Sequence, residues 1–146
     1  MSFLTQKWQI YLGGKMSGLS FEEMNSWRQV SKKKLISAAQ ASGYYVYIIN
    51  PVDFYNFEKV EYQTDAEVMD YDLFHVEHSD FLIINGDKLD QSTGTQIEIF
   101  DAYRHGIPVF VFGDYKHPHP WIERCVTRFE PDIDHVIDYL RKFYFV

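Results

Sequence analysis

Residues 81–112, FLIINGDKLDQSTGTQIEIFDAYRHGIPVFVF, contain two apolar runs of strand length separated by a stretch with helical spacing. The apolar runs are Phe81–Ile84 and Ile107–Phe112. Between them, Thr93 followed three residues later by a glutamine forms a capping box that opens a helix, and Gly106 is the residue type that closes one. The segment therefore predicts a strand, a helix and a second strand, which is the repeating unit of a parallel sheet.

The same alternation continues on both sides of this segment. Further apolar runs of strand length occur at Trp8–Leu12, Tyr44–Ile49 and Val126–Phe129. These runs are apolar or aromatic almost throughout, which is typical of strands that are covered on both faces. We therefore predict an α/β fold with a doubly wound, five-stranded parallel sheet in the order 2-1-3-4-5 and helices on both faces.

The remaining helices are marked by their end signals. Capping boxes at Ser20 and Thr64 open two helices, and Gly43 closes the first of them. Asp132 is expected to cap the last helix. The apolar face of that helix consists of Val136, Tyr139, Leu140 and Phe143.

Size and charge limit the classes of ligand. The chain has 146 residues, 46% of them apolar, which suits one substantial core, so we predict a single domain over residues 1–146. Fourteen basic and 21 acidic residues give a net charge of −7. The one basic cluster, Lys32-Lys33-Lys34, is typical of a solvated helix face. A nucleic acid polymer is therefore disfavoured as a partner, and a small molecule is favoured.

Three features of the sequence indicate the cellular compartment. A lone cysteine, Cys125, excludes an internal disulfide and is expected to be a buried apolar residue. No apolar run approaches the roughly 18 residues of a membrane span. Residues Met1 to Lys7 lack the charged start and apolar middle of a signal peptide. We therefore expect a cytoplasmic protein with no membrane partner.

The predicted topology indicates where a ligand binds. In doubly wound sheets the ligand lies outside the carboxyl ends of the strands, where the strand order reverses. The two loops at that point are residues 11–18, YLGGKMSG, and residues 85–95, NGDKLDQSTGT. Both are rich in the small residues that let backbone N–H groups approach a ligand.

Glu98 follows the second of these loops. It is expected in about the first turn of the third helix, where the helix dipole favours an ionised carboxylate. Gly94 and Thr95 place little bulk before it, so a sugar could present its anomeric carbon there. The alternative is an ordinary glutamate that stabilises the start of its helix.

Asp72 and Tyr11 are the other candidate catalytic residues. Asp72 lies in the middle of the second predicted helix, and an apolar environment would raise its pKa and let it donate a proton to a leaving base. A surface aspartate is the competing interpretation. Tyr11 ends the first strand and could hydrogen-bond a catalytic carboxylate, although a core tyrosine is the simpler explanation.

Other chemistries have weaker support. His75 and His78 could join Asp72 in a metal site, but two histidines at this spacing are common on exposed helix faces, and we predict no metal. The turn Gly13-Gly14-Lys15 lacks the spacing of a nucleotide-binding phosphate loop and the third glycine of a dinucleotide fingerprint. Neither an ATPase nor a dehydrogenase is supported.

Several short motifs occur together in one register. They are IYLGG at 10–14, MSG at 16–18, Asp72, Ser79-Asp80, GTQIEI at 94–99 and GIPV at 106–109. In this combination the chain resembles the nucleoside 2-deoxyribosyltransferase family and its relatives, the deoxynucleoside 5′-monophosphate N-glycosidases and the hydroxymethylcytidylate hydrolases. The resemblance spans most of the chain.

The resemblance implies a doubly wound α/β fold, no cofactor and covalent catalysis in two half-reactions. Glu98 would attack the anomeric carbon, Asp72 would protonate or hydrogen-bond the leaving base, and Tyr11 would orient the carboxylate. The implied substrate-binding residues are Gly13, Gly14, Lys15, Met16, Ser92, Gly94 and Thr95. A neighbouring subunit would complete the pocket, so at least a homodimer is expected.

One departure from the family pattern bears on the substrate. The transferases usually carry an aspartate six residues before the nucleophile, where this chain has Ser92. A hydroxyl and the free N–H groups of a helix start can hold a 5′-phosphate that a carboxylate would repel. Ser17 stands where the nucleotide hydrolases tend to have an arginine, so Lys15 would have to contact the phosphate. A nucleoside or its monophosphate, and transfer to a base or to water, all remain open.

Two other functions compete with catalysis. A non-catalytic nucleotide-sensing module could keep the same fold and pocket. An assembly domain could use an aromatic surface, whose members would be Tyr44, Tyr55, Phe57 and Phe143-Tyr144-Phe145. The acidic pair and Tyr11 favour an enzyme, because a binding module has no evident need for buried acids beside a sugar.

Overall fold

A computed structural model describes residues 7–55, 62–115 and 117–146 of the chain. Its strands are β1 (Lys7–Gly13), β2 (Tyr45–Ile49), β3 (Phe81–Asn85), β4 (Val109–Phe112) and β5 (Arg128–Glu130). All neighbouring strands are parallel, in the order β2-β1-β3-β4-β5. This is the predicted doubly wound, flavodoxin-like arrangement, whose strand order reverses between β1 and β3.

Within the described residues, α-helices and short 3-10 turns connect the strands, and a last helix follows β5. The helices are α1 (Phe21–Ala41), α2 (Asp65–Glu77), α3 (Thr93–Arg104), α4 (Pro120–Cys125) and α5 (Ile133–Phe143). The 3-10 turns are Pro51–Phe54 and Leu89–Gln91. None of the helices within the described residues is long and apolar enough to cross a membrane.

The predicted helix ends are confirmed with one exception. Ser20 and Thr64 form capping boxes, and Asp132 caps α5. The prediction that Thr93 caps α3 is wrong, because Thr93 is the first helical residue and Ser92 occupies the cap position. The Ser92 hydroxyl lies 2.6 Å from the Thr95 hydroxyl instead of binding a backbone N–H. Glu98 consequently lies in the second turn of α3.

Two apolar cores lie on opposite faces of the sheet. Residues of α1 and α5 pack on one face, against Ile10 and Leu12 of β1. Residues of α2, α3 and α4 pack on the other face, which contains Tyr11. Because side chains alternate along a strand, Tyr11 faces α2 and α3 while its two neighbours face away from them. The alternation places the candidate catalytic residues on the α2 and α3 side of the sheet.

Two other predictions need correction. The proposed aromatic surface is mostly core, since Phe145 is buried and Tyr44 and Tyr144 pack against the α1 and α5 core. Phe143 is the exception, with 61% of its surface exposed, so it does not belong to the buried face of α5 either. Phe57 lies outside the described residues. Cys125 is buried, as predicted.

Candidate active site

Tyr11 and Glu98 form a buried hydrogen-bonded pair. Tyr11 lies near the carboxyl end of β1 and is 1% exposed, while Glu98 projects from α3 and is 9% exposed. The Tyr11 hydroxyl donates to Glu98 Oε2. The two side chains lie at the switch point of the sheet, where the topology predicts a ligand.

The charge state expected for Glu98 is wrong for the free protein. The pKa of Glu98 is raised to about 8, chiefly by burial and also by the nearby Asp72, although the Tyr11 hydrogen bond and Arg28 partly oppose the shift. A helix dipole acts within the first turn, and Glu98 lies in the second. In the absence of a ligand, the Glu98 carboxyl is therefore mostly protonated at pH 7.

Asp72 lies in the middle of α2, as predicted, with its carboxyl half-buried. Burial raises the pKa of Asp72, which a hydrogen bond from Tyr55 and the charge of Arg28 oppose. The Tyr55 hydroxyl donates to Asp72 Oδ1 at 2.7 Å. The sequence did not identify Tyr55 as a site residue, because it follows a 3-10 turn and lies 17 positions before Asp72. No local sequence pattern links Tyr55 to Asp72.

Arg28 of α1 is a second site residue that the sequence reasoning missed. It is 1% exposed, and its guanidinium donates to the carbonyl oxygens of Leu12, Gly14 and Met24. Its position matches the spacing of the buried residues of α1, which include Met24, Ser31 and Leu35. A basic residue on the apolar stripe of a helix was the signal that could have found it.

A cavity of about 410 Å³ lies between α2 and α3 and brings Asp72 and Glu98 together. Gly94 also lines it, and a side chain added there would meet nothing within 4 Å. The other lining residues are Asp65, Ala66, Val68, Met69, Leu73, Thr93 and Ile97. The cavity therefore offers the carboxyl groups of Asp72 and Glu98, with a third from Asp65, within otherwise largely apolar walls.

The turn that follows β1 separates this site from a second cavity. A Cβ added to Gly13 would lie 3.7 Å from Glu98 Oε1, and one added to Gly14 would lie 2.8 Å from Cζ2 of Trp27. A side chain at position 14 would collide with Trp27, and one at position 13 would collide with Cδ1 of Ile84 at 2.6 Å while only contacting Glu98. The second cavity, of about 240 Å³, is lined by Lys15, Leu19, Glu23, Trp27, Asn85, Asp87 and Lys88.

The remaining predicted binding residues are dispersed around these cavities. Lys15 lies in the second cavity, and its ammonium group donates to the Ser17 carbonyl at 2.6 Å. Met16 is half-buried in the same loop. Ser92 and Thr95 are buried against each other and do not line the cavity of Asp72 and Glu98.

The histidines of α2 do not join Asp72 in a metal site. His75 stacks on Phe54, with ring centroids 4.9 Å apart. Within residues 7–55, 62–115 and 117–146, the only group of three His, Cys, Asp or Glu side chains close enough to share an ion is that of Glu77, Asp101 and His105.

Comparison with known proteins supports the fold. No protein-family model matches the chain, and no curated protein is significantly similar. A conserved protein from Enterococcus faecalis V583 is 15% identical with a TM-score of 0.75, over 94% of this chain and 99% of that one. A 2-deoxyribosyltransferase from Bacillus psychrosaccharolyticus is 24% identical with a TM-score of 0.62, over 90% and 91%. The Clostridium botulinum CMP N-glycosidase BcmB is 14% identical with a TM-score of 0.53, over 92% and 99%.

These likenesses establish the doubly wound fold of the chain across nine-tenths of its length. The family whose motifs the sequence resembles is thus represented among the solved structures that share this fold.

Proposed function

We propose that this protein cleaves the N-glycosidic bond of a deoxynucleoside or its 5′-monophosphate, with Glu98 as the nucleophile. The observation that carries the proposal is the convergence of a buried Tyr11–Glu98 pair and Asp72 on one cavity at the switch point of the sheet. The 2-deoxyribosyltransferase and the CMP N-glycosidase that share the fold both act on the bond between a sugar and a base.

The reaction would proceed in two steps. A Glu98 carboxylate oxygen forms a bond to C1′ of the sugar while the bond from C1′ to the base nitrogen breaks. The electron pair of the broken bond stays on the base, which takes a proton from Asp72. A second base or water then attacks C1′ and gives up its proton to the Asp72 carboxylate, and the electron pair of the ester bond returns to Glu98. Tyr11 donates a hydrogen bond to Glu98 and orients it.

The acid–base properties of the site support these roles. Burial raises the pKa of both Asp72 and Glu98, so the pair tends to hold a proton near neutral pH. The reaction needs one proton for the leaving base and one ionised carboxylate for the sugar. Positive charge that develops at C1′ favours ionisation of Glu98 rather than Asp72, because Glu98 is the nearer group in the proposed complex.

A purely nucleotide-binding role is less well supported. Placing a buried and a half-buried carboxyl group in one cavity costs free energy, and binding a neutral sugar does not by itself require such a pair. A catalytic site uses both groups. A binding module would instead be indicated by ligand-induced thermal stabilisation without any base release.

A chromatographic assay tests the proposal. Purified protein is incubated with each deoxynucleoside and each deoxynucleoside monophosphate, with and without a second free base. We expect base release or exchange that Glu98→Ala and Glu98→Gln both abolish. Asp138→Asn, on the exposed side of α5, is the matched control that keeps activity. Unchanged base release in Glu98→Ala would reject Glu98 as the nucleophile.

The second cavity supports a monophosphate as the substrate. Lys15 and Lys88 both line it, together with the acidic Glu23 and Asp87, and the Gly13–Gly14 turn lies beside both its wall residue Trp27 and Glu98. A sugar at Glu98 could thus direct its 5′-phosphate toward two ammonium groups. Base exchange confined to unphosphorylated nucleosides would instead identify a transferase and would show that Lys15 does not bind a phosphate.

We also propose that the protein acts as a homodimer or larger homo-oligomer. Met69 and Ile97 line the cavity of Asp72 and Glu98 and are 48% and 37% exposed, so the cavity opens onto an apolar surface. Phe74 of α2 and Phe100 of α3 are also about half exposed. Such surfaces commonly mark an interface, and a second copy here would close the cavity.

A further inference from the structure

Hydrogen bonds from Arg28 connect the end of β1 to α1. The pairing of β1 with β2 ends at Tyr11 and Ile49, so the backbone beyond that point lies past its β2 partner. Arg28 Nη1 donates to the Leu12 carbonyl at 2.5 Å and Nη2 donates to the Gly14 carbonyl at 3.0 Å. Its Nε donates to the Met24 carbonyl of its own helix at 2.8 Å. One planar guanidinium therefore holds both peptide groups that flank the turn.

This contact controls which way the turn faces. In a trans peptide the N–H points opposite to the C=O, so the N–H groups of Gly13 and Lys15 point away from Arg28. The backbone of Gly13 comes close enough to Glu98 that an added Cβ would lie 3.7 Å from Oε1. The hydrogen bonds of Arg28 therefore act on the stretch of backbone that lies beside Glu98. A lysine has one nitrogen and cannot reproduce that fork.

Arg28 also carries the only buried Lys or Arg charge among the described residues. The titratable groups that affect it are all acidic: Tyr11 of β1, Asp72 of α2, Glu98 of α3 and Asp53 of the turn after β2. Its charge lowers the pKa of both Glu98 and Asp72, against the effect of burial. Without Arg28, the buried Glu98 and the half-buried Asp72 would share one cavity with no buried Lys or Arg charge among the described residues.

We propose that Arg28 is a positioning residue that holds the Gly13–Gly14 turn beside Glu98 and supplies the counter-charge of the acidic pair. Its positioning role rests on the proposed function, since it matters for catalysis only if Glu98 reacts. Its electrostatic role does not depend on any substrate.

Two substitutions separate the roles. Arg28→Met removes both the fork and the charge, whereas Arg28→Lys removes the fork and keeps a charge. The first measurement is a pH titration of Glu98 by carboxyl carbon NMR in the full chain. We expect Arg28→Met to shift the Glu98 midpoint upward and Arg28→Lys to shift it by less, because the lysine keeps a positive charge. Arg141→Met, at an exposed position on α5, is the matched control and leaves the midpoint in place.

The second measurement is the pH dependence of kcat. In Arg28→Met the limb assigned to Glu98 should move to higher pH, and kcat should fall by about tenfold or more. In Arg28→Lys the limb assigned to Glu98 should stay at the same pH, while kcat falls. The amide NMR signals of Gly13 and Lys15 should shift, because the turn has lost the paired donors of the Arg28 guanidinium.

The outcomes that overturn the proposal are distinct from those that overturn the function. A folded Arg28→Met with an unchanged Glu98 midpoint would reject the electrostatic role. If Arg28→Met does not fold, Arg28→Lys decides, and unchanged amide signals with unchanged kcat would reject the positioning role. If no variant or parent protein cleaves a nucleoside, the proposed function fails, and the NMR titration still tests the charge of Arg28.

Discussion

The side chain of Glu98 shows how local surroundings override position in a helix. Its place near the start of α3 favours a charged carboxylate, but burial against Tyr11 and the sheet favours the neutral form. Burial wins, because the dipole effect is worth at most about 1 to 2 kcal/mol and fades beyond the first turn. A proton on Glu98 is therefore a property of the folded state.

This proton makes stability depend on pH. The pKa of Glu98 is about 8 in the folded protein and near its ordinary value of 4.5 in the unfolded chain. Between these values the folded protein holds a proton that the unfolded chain lacks, so the Glu98 contribution to stability falls as the pH rises from 4.5 toward 8. We expect Glu98→Gln to gain stability relative to the parent over this range, by up to about 5 kcal/mol. Urea denaturation at pH 5, 6.5 and 8 measures the difference, and a constant difference would contradict the assignment.

The Tyr11 hydroxyl provides a second test at this scale. Tyr11→Phe removes the donor to Glu98 with little change of volume in the core. Since this bond lowers the pKa of Glu98, its loss should raise that pKa further. We expect kcat to fall about ten- to a hundredfold with little change of KM, because a hydrogen bond to a charged group is worth about 1.5 to 3 kcal/mol. Tyr139→Phe, in the aromatic cluster on the opposite face, is the control. Equal effects of the two substitutions would argue for a general packing defect.

At the level of elements, α2 and the start of α3 form the walls of the cavity with Asp72 and Glu98, while the loops after β1 and β3 contribute to the second cavity. The turn after β1 separates the two cavities, and the loop after β3 contributes Lys88, which adopts a left-handed backbone conformation with a φ of 56°. A non-glycine residue in that conformation is uncommon and is often found at functional sites.

The role of this loop can be tested through substrate choice. Lys88→Gln removes one of the two ammonium groups in the second cavity, and Lys15→Gln removes the other. We expect each substitution to raise KM for a deoxynucleoside monophosphate by about fivefold and to leave KM for the nucleoside unchanged, since both lysines are solvated and such charge pairs are worth about 1 kcal/mol. Lys142→Gln on α5 controls for net charge. Equal changes of KM for both substrates would show that the phosphate does not bind in this cavity.

Element boundaries could be predicted wherever one local signal acted alone. The capping boxes at Ser20 and Thr64 predict the starts of α1 and α2 correctly, because each hydroxyl accepts from a backbone N–H of its own helix. The start of α3 could not be placed, since Ser92 and Thr95 bond to each other across the turn. Helix α4 was missed because its six residues carry too few apolar positions to show a period.

At the level of the whole molecule, the two faces of the sheet have different roles. The face with α1 and α5 is closed by core residues that extend to Phe145. The face with α2 and α3 holds the acidic pair and exposes several large apolar side chains. This asymmetry follows from strand alternation and could be predicted, whereas Arg28 and Tyr55 could not be assigned, because their contacts join elements that are distant in sequence.

Assembly through the α2 and α3 face is a prediction at this scale. Phe100→Glu places a charge on the exposed apolar face of α3, one turn after Ile97. We expect the variant to be monomeric by light scattering after size-exclusion chromatography and to lose activity, because the cavity remains open to water. Phe143→Glu, on the other side of the sheet, should change neither property. A monomeric parent protein with full activity would exclude the shared site.

The most direct test of the central claim is to trap the sugar on the enzyme. Protein mixed with excess deoxynucleoside or its monophosphate is quenched in acid within milliseconds, and its intact mass and peptides are measured. We predict one deoxyribosyl group on the peptide that contains Glu98, present in the parent and in Asp138→Asn and absent in Glu98→Gln. Sustained base release with no adduct, or with an adduct on another residue, would contradict nucleophilic attack by Glu98.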